Sequence, residues 1–361
     1  MTDPAFRSLA ETVQYNCNIS DARYGADYSL CVYLMKMREY YRWEKRLPYG
    51  AALEKDRVGN WLAERERLWE DLEGAELKPL VFEAERFDPF DAQAINARLA
   101  PQGLVYSAGL GQGAKPHFFL GDLECEQRHG DYAVLVAAQE YARDLTAPPA
   151  MTQGHTIYLR RESLRRMLWE KLESWRWARP DNALGRAFAS YAFESALEES
   201  LDAMTDREIR NCLLHEEGEH EAGERLGSDW EAMVLDLAQT PAEIVARAVR
   251  DHLADCLVTL PALAESGDPP SLHFYVGNLT AMRRELFPGL LAAYGDWWAG
   301  LAPGLEPAAR PGGGDTAALG RIAAQGRGHW ESVAQAMLDL HRRGGPEAAG
   351  PIAELARSRS L

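Results

Sequence analysis

The chain has 361 residues, 46% hydrophobic and 26% charged, with a formal net charge of −16. That length and composition provide for a sizeable core and two domains, and they exclude wholesale disorder. The acidic balance excludes nucleic acid or an anionic membrane surface as the main partner.

The N-terminal stretch MTDPAFRSLAETVQ lacks the basic-then-apolar pattern of a signal peptide, and no apolar run approaches the length of a membrane span. Residues 15–28, YNCNISDARYGADY, are polar and rich in turn formers and read as an ordered loop. A helix is expected from Tyr28 to Arg46, with Leu30, Tyr33, Leu34, Met37, Tyr40 and Tyr41 as its apolar face. A second, from Ala51 to Glu73, carries Leu53, Trp61, Leu62, Leu68, Trp69 and Leu72 and pairs with the first. Both stripes read as core, since aromatic side chains dominate burial. The 15–45 stretch resembles the opening of an uncharacterised bacterial protein family. A short helix follows, started by Asp88-Pro89. GLVYSAGL, HFFLGDLECE and DYAVLVAA then form an expected three-stranded antiparallel meander. GLGQGA (109–114) lacks the Lys-Ser/Thr of a phosphate loop and reads as a hairpin turn. TAPPAMTQG (146–154) marks an interdomain boundary.

Beyond it the pattern is helical. Residues 160–178 form a basic amphipathic helix, whose Arg side chains suit ion pairs with an acidic neighbour. A helix from Pro180-Asp181 to Met204 aligns Tyr191, Glu194, Glu198 and Leu201 on one side. Thr205 with Glu208, Ser228 with Glu231, and Thr240 with Glu243 read as capping boxes, and Gly227 as a left-handed stop. The helix begun at Thr240 is expected to end before Pro261. SLHFYVGNLTAMRRELFPGLLAAYGDWW (271–298) is expected to start extended and become helical, residues 302–315 to form a linker, 316–341 a last helix, and the C-terminal residues to be frayed.

Chemistry is concentrated in Thr205–Gly227. The apolar stripe Ile209, Cys212 and Leu213 continues into Glu216, then Glu219 or His220, then Gly223. His215 and His220 lie five apart, roughly 140° around a helix, so the H-E-x-x-H zinc geometry fails. Glu216 and His220 remain one turn apart, as does Glu217 with His220. The latter spacing resembles that of di-iron carboxylate bundles, which implies a dimetal site. The helix over 241–260 offers a like pair in His252 and Asp255, interrupted from its apolar face together with Asp251. Glu194 or Glu198 from a third helix completes the set. From Glu194 to Asp236 there are 14 acidic residues against three Arg. This run reads as a solvated acidic face or, alternatively, as carboxylates some of which need a cation.

The expected fold is therefore α+β: an N-terminal helical pair with a small antiparallel β-meander (1–150), a helical bundle (151–301), the linker, and a C-terminal helix and tail (316–361). The expected ligands are Glu216, His220, His252 and Asp255, with Glu194, Glu198, Glu217 or Asp251 bridging or completing them. Iron, manganese or zinc would then serve a non-haem iron or di-iron carboxylate-like enzyme. The alternative is a non-catalytic scaffold or assembly factor, binding a protein partner or a second copy through acidic and aromatic surfaces. Five dispersed Cys without a C-x-x-C pair fit a soluble, reduced, cytoplasmic protein, with Cys212 and Cys256 buried.

Overall fold

The computed structural model describes residues 4–301 and 315–361. The expected linker thus lies outside the described residues except for Asp315. The chain is α+β and divides into two compact units. The first takes residues up to 111, 115–170 and 197–202, and the second takes 112–114, 171–196 and 203–361.

In the first unit α1 (Pro4–Tyr24) runs through the stretch read as a loop. Its polar residues misled because they are buried and individually satisfied. Asn16 bonds both the N–H and the C=O of Lys78 at 2.8 Å, and the Asp21 carboxylate accepts from Leu145 N at 2.9 Å. Phe6, Leu9, Val13 and Cys17 recur at helical spacing and pack on the sheet. The helical pair is present as α2 (Leu30–Glu44) and α3 (Lys55–Leu72), built around Met37, Tyr40, Tyr41, Trp61 and Trp69. Leu30 and Leu34, assigned to the buried face, stay exposed. A hairpin of β1 (Leu80–Phe82) and β2 (Glu85–Phe87) precedes α4 (Ala92–Leu99), which Asp91 rather than Asp88 caps, through Ala94 N.

The meander is β3 (Leu104–Leu110), β4 (Pro116–His129) and β5 (Tyr132–Arg143), antiparallel throughout. It belongs to a five-stranded half-barrel in the order β3-β4-β5-β7-β6. The added strands are β6 (Ala150–Gln153) and β7 (Thr156–Arg160), the latter parallel to β5. They occupy part of the segment read as a boundary. TAPPA is the connection, and the alternation of Met151 to Leu159 is a short hairpin around Gly154.

The basic helix α5 (Arg161–Ala178) follows directly. In the second unit the helix expected over 181–204 is interrupted. It is α6 (Ala183–Phe188), capped by Asn182, then turns, then α7 (Leu197–Leu226). Thr205 is interior to α7 and buried, so its capping box is a false signal: the preceding residues, LEESLDAM, are themselves good helix formers and carry the helix through it. Gly227, at φ 73°, does end α7. α8 (Ser228–Asp236) and α9 (Pro241–Ala254) follow. Neither Ser228 nor Thr240 makes a side-chain cap bond, and Thr240 Oγ1 instead donates to Leu237 O at 2.7 Å. The chain does not stop before Pro261. A π-helical turn (Asp255–Thr259) leads into α10 (Leu260–Ser266), and a locally rearranged ladder accommodates a proline that an α-helix interior rejects.

The segment read as extended and then helical is helical from its start, in α11 (Pro269–Asn278), because Asp268 caps it through Ser271 N and proline occupies its first turn. α12 (Ala281–Leu286), α13 (Pro288–Gly300), α14 (Ala317–Gly344) and α15 (Ala349–Ser358) complete the unit. The C-terminus is not frayed: Leu361 N donates to Leu286 O, and Leu361 O accepts from Gly289 N, both at 2.9 Å. The core of this unit gathers Trp230, Val249, Leu253, Leu290, Trp330, Met337 and Ile352 from α8, α9, α13, α14 and α15. Among the described residues no helix is long and apolar enough to cross a membrane.

Candidate metal centre between two helices of the second unit

α7 and the end of α9 approach closely at Gly218. A Cβ there would stand 2.4 Å from Ala254 O, so only glycine permits this contact. On either side of the contact each helix presents two polar groups one turn apart, His215 and Glu219 on α7, Asp251 and Asp255 on the facing chain. Spacing of four residues places each pair on a single face.

Asp255 is fully buried and saturated. Its Oδ1 accepts from His215 Nδ1 at 2.7 Å, and its Oδ2 accepts from the Tyr275 hydroxyl at 2.6 Å and from Arg283. Burial raises its pKa, but Arg283 and His215 outweigh that and hold the carboxyl well below its usual range. With Nδ1–H committed to Asp255, His215 directs Nε2 toward Glu219 Oε1, 3.6 Å away. One ligand atom each from His215, Glu219 and Asp251 lies within 4.8 Å of the others. Arg250 Nη2 donates to Glu219 Oε1 at 2.6 Å and stands 3.9 Å from Asp251 Oδ1.

The electrostatics follow from this crowding. Burial works to lower the His215 pKa, yet Asp255 and Glu219 raise it well above the ordinary imidazole value. Burial likewise raises Glu219, but Arg250 and His215 bring it down. Asp251 stays raised by burial and by the neighbouring Glu219 charge, against Arg283. Two carboxylates, of which Asp251 is raised by the Glu219 charge and in turn lowers Glu219 through a hydrogen bond, beside an imidazole oriented by a third, form a recurrent metal-ligand arrangement.

The residues singled out in the sequence separate into groups. Asp251 joins this cluster, and Asp255 stands behind it as the partner of His215. Glu216 is buried, and its charge bears on Arg250. Glu217 and His220 are half-buried on α7, outside the three-residue group. His252 faces the opposite way. Its ring stacks on Trp330 at 5.0 Å and meets Phe287 edge-on, with Nε2 donating to Arg283 O at 2.9 Å. Burial and Arg283 push its pKa down to about 3, so it is a neutral core imidazole. Glu194 is exposed, 3.4 Å from Arg179, and Glu198 pairs with Arg165 at 2.7 Å. The break after Phe188 removes Glu194 from any helix, and neither residue reaches the cluster.

His215 and Glu219 were missed as a pair because His215 was compared only with His220. Their spacing of four, with Gly218 between them, was the available signal. Tyr275 and Arg283 carried none, since α11 and α12 bring them from elsewhere in the chain.

Residues 8–160 match the N-terminal domain of a family of unknown function (DUF6866), and residues 165–359 match the C-terminal domain of that family. No curated protein and no solved structure matches the chain.

Proposed function

The chain belongs to the DUF6866 family, and for its C-terminal domain we propose a divalent-cation site that serves a metal-dependent enzyme. His215 Nε2, Glu219 and Asp251 are its ligands. One imidazole and two carboxylates suit iron(II) or manganese(II), with zinc next. A single imidazole at the cluster favours one metal over a di-iron pair. Three protein ligands leave coordination positions for water or substrate, which is how catalytic sites differ from closed structural ones. The observation that carries the reading is the Asp255–His215 bond. It orients the ring so that Nε2 faces Glu219, where a cation would take the place of the proton that the carboxylates favour, as the outer partners of ligating histidines do.

A second reading rests on a specific observation too. Arg250 and Arg283 already oppose Glu219 and Asp255, and a protonated His215 brings the cluster near neutrality. It is then an internal ion-pair network, and the domain is a scaffold rather than a catalyst. Metal content of protein purified without added metal or chelator separates the two. Under the metal reading about one iron, manganese or zinc per chain is found, and His215→Ala loses it. Asp255→Asn, which leaves every ligand in place, weakens affinity about 10- to 100-fold. Absence of metal in the wild type, or metal unchanged in His215→Ala, leaves the ion-pair network as the answer.

A further inference from the structure

The first unit matches its buried charges with one exception. Lys115 Nζ is 3.2 Å from Asp21 Oδ1, and His117 Nδ1 is 3.2 Å from Asp144 Oδ2. Arg160 forks onto Glu140 at 2.9 and 2.8 Å, Arg42 lies 3.1 Å from Glu39, and Arg166 pairs with Glu170. Arg143, the last residue of β5, is the exception. It is 2% exposed, it forms no ion pair among the described residues, and its Nε and Nη1 have no hydrogen-bond acceptor. Its guanidinium lies over the rings of Trp43, at 4.6 Å, and Tyr40, at 5.6 Å. A ring face attracts the cation but accepts none of its in-plane N–H groups.

Other donors around Arg143 lack acceptors as well. Trp43 Nε1, Arg166 Nε and Trp169 Nε1 are buried and unpartnered. Tyr49 links them: its ring is 5.5 Å from that of Trp169, and the charges of both Arg143 and Arg166 act on its hydroxyl. Lys36 Nζ lies 4.0 Å from Glu170 Oε2. Its pKa falls to about 8, through burial first and then Arg166 and Arg143, against the opposing pull of Glu170 and Asp144. Of these three cations Arg166 and Lys36 share Glu170 as ion-pair partner, while the carboxylates that act on Arg143, Glu140 and Glu162, form no ion pair with it. Buried donors nearly always find acceptors, and a buried charge without a counter-charge is costly.

We propose that this unit binds a small oxyanion, a phosphate or a carboxylate group, between Arg143, Arg166 and Lys36, with the indole N–H groups of Trp43 and Trp169 as further donors. The guanidinium of Arg143 offers such a group a charge-assisted hydrogen bond from an unpartnered N–H, the interaction by which arginine favours oxyanions. Lys36, Trp43 and Tyr49 keep part of their surface exposed, so the site reaches solvent on their side. The flanking rings suit an anion attached to an apolar or planar body. The site is independent of the metal centre, and neither proposal needs the other.

The test uses the full chain, titrated with potassium phosphate and separately with potassium malonate against potassium chloride at matched ionic strength. Tryptophan fluorescence and the melting temperature are the readouts. At least one of the two anions produces a saturable fluorescence change and a rise in melting temperature that chloride does not, and which one acts separates a phosphate from a carboxylate ligand. Arg143→Met weakens that response about tenfold or more, the range for a charged hydrogen bond. Lys36→Met, at a part-exposed position, weakens it while leaving the core intact. The proposal is overturned if neither anion acts beyond chloride, or if the response survives Arg143→Met unchanged. Should Arg143→Met not fold, an unchanged response in Lys36→Met overturns it instead.

Discussion

Two glycines on one helix make opposite predictions. At Gly218 an added Cβ stands 2.4 Å from Ala254 O, 2.8 Å from its carbonyl carbon and 3.1 Å from its Cα, all backbone atoms that cannot rotate away. A comfortable carbon–oxygen contact is about 3.3 Å, so α7 and α9 must separate by roughly 1 Å. Overpacking of that kind costs about 1–3 kcal/mol, against a gain of about 1 kcal/mol from replacing a mid-helix glycine by alanine. At Gly223 nothing lies within 4 Å, so only the gain remains. The propensity term is common to both variants and cancels in their difference. Gly218→Ala is therefore expected to be less stable than Gly223→Ala by about 1–3 kcal/mol, with Gly223→Ala at or above the wild type. Urea unfolding followed by circular dichroism measures both on the same transition. Equal midpoints, or a more stable Gly218→Ala, would refute the claim that Gly218 exists to let the two helices touch.

Glu208 carries a pH prediction. Burial, with the Asp268 charge and against the hydrogen bond from Asn211, raises its pKa from 4.5 to about 7. Between those values the unfolded chain has released the proton and the folded chain has kept it, so stability falls as pH rises from 4.5 to 7, by about 3 kcal/mol in total. Glu208→Gln should flatten that part of the stability profile and raise stability at pH 8; an unchanged slope counts against a buried neutral carboxyl. Thr240→Ala should cost only about 0.5 kcal/mol, the value of one partly exposed hydrogen bond, because Thr240 caps nothing; a loss of 1 kcal/mol or more in thermal unfolding would restore the cap. Among the thiols, exposed Cys31 should react at once with a thiol reagent, while Cys17 and Cys256, both buried and with pKa values raised by burial, should react only on unfolding. Rapid native labelling of Cys256, counted by mass spectrometry, would contradict its place in the core.

The fold was legible where local signals and tertiary demand agree. The meander strands are apolar runs rich in aromatic and β-branched residues, separated by Gly-containing turns, and Gly227 ends α7 as its place in the sequence implies. The reading failed where polar residues are buried. Asn16, Ser20 and Asp21 look like a loop because their hydrogen-bond partners, Lys78, Pro116 and Leu145, lie far along the chain. Capping boxes failed for a related reason. A Thr-x-x-Glu pattern costs little inside a helix, so Thr205 and Glu208 sit within α7 and face α11, where Ser271 donates to Glu208 at 3.3 Å. Gly218 was read as a point of close helix approach, and so it is; Gly223, read the same way, meets nothing within 4 Å.

The case for a cation also changes its footing between sequence and structure. Along the sequence it rested on an excess of acid over base from Glu194 to Asp236. Charge in space is not charge along the chain. Arg250 arrives from α9 to meet Glu219, Arg165 pairs with Glu198 and Asp202, and Arg342 pairs with Asp229, so carboxylates of the run find partners from distant sequence. A deficit of positive charge therefore no longer argues for a metal. What argues for it is orientation, because an ion-pair network needs only charges near one another. It has no need of an imidazole whose Nδ1 is fixed by a fully buried carboxylate, itself held by Tyr275 and Arg283, so that Nε2 faces Glu219 with Asp251 close by. The variant that decides between them is accordingly the outer one. Asp255→Asn keeps His215, Glu219 and Asp251 but neutralises the group behind His215, so bound metal that weakens there is held through His215, whereas an ion-pair network has no metal to lose.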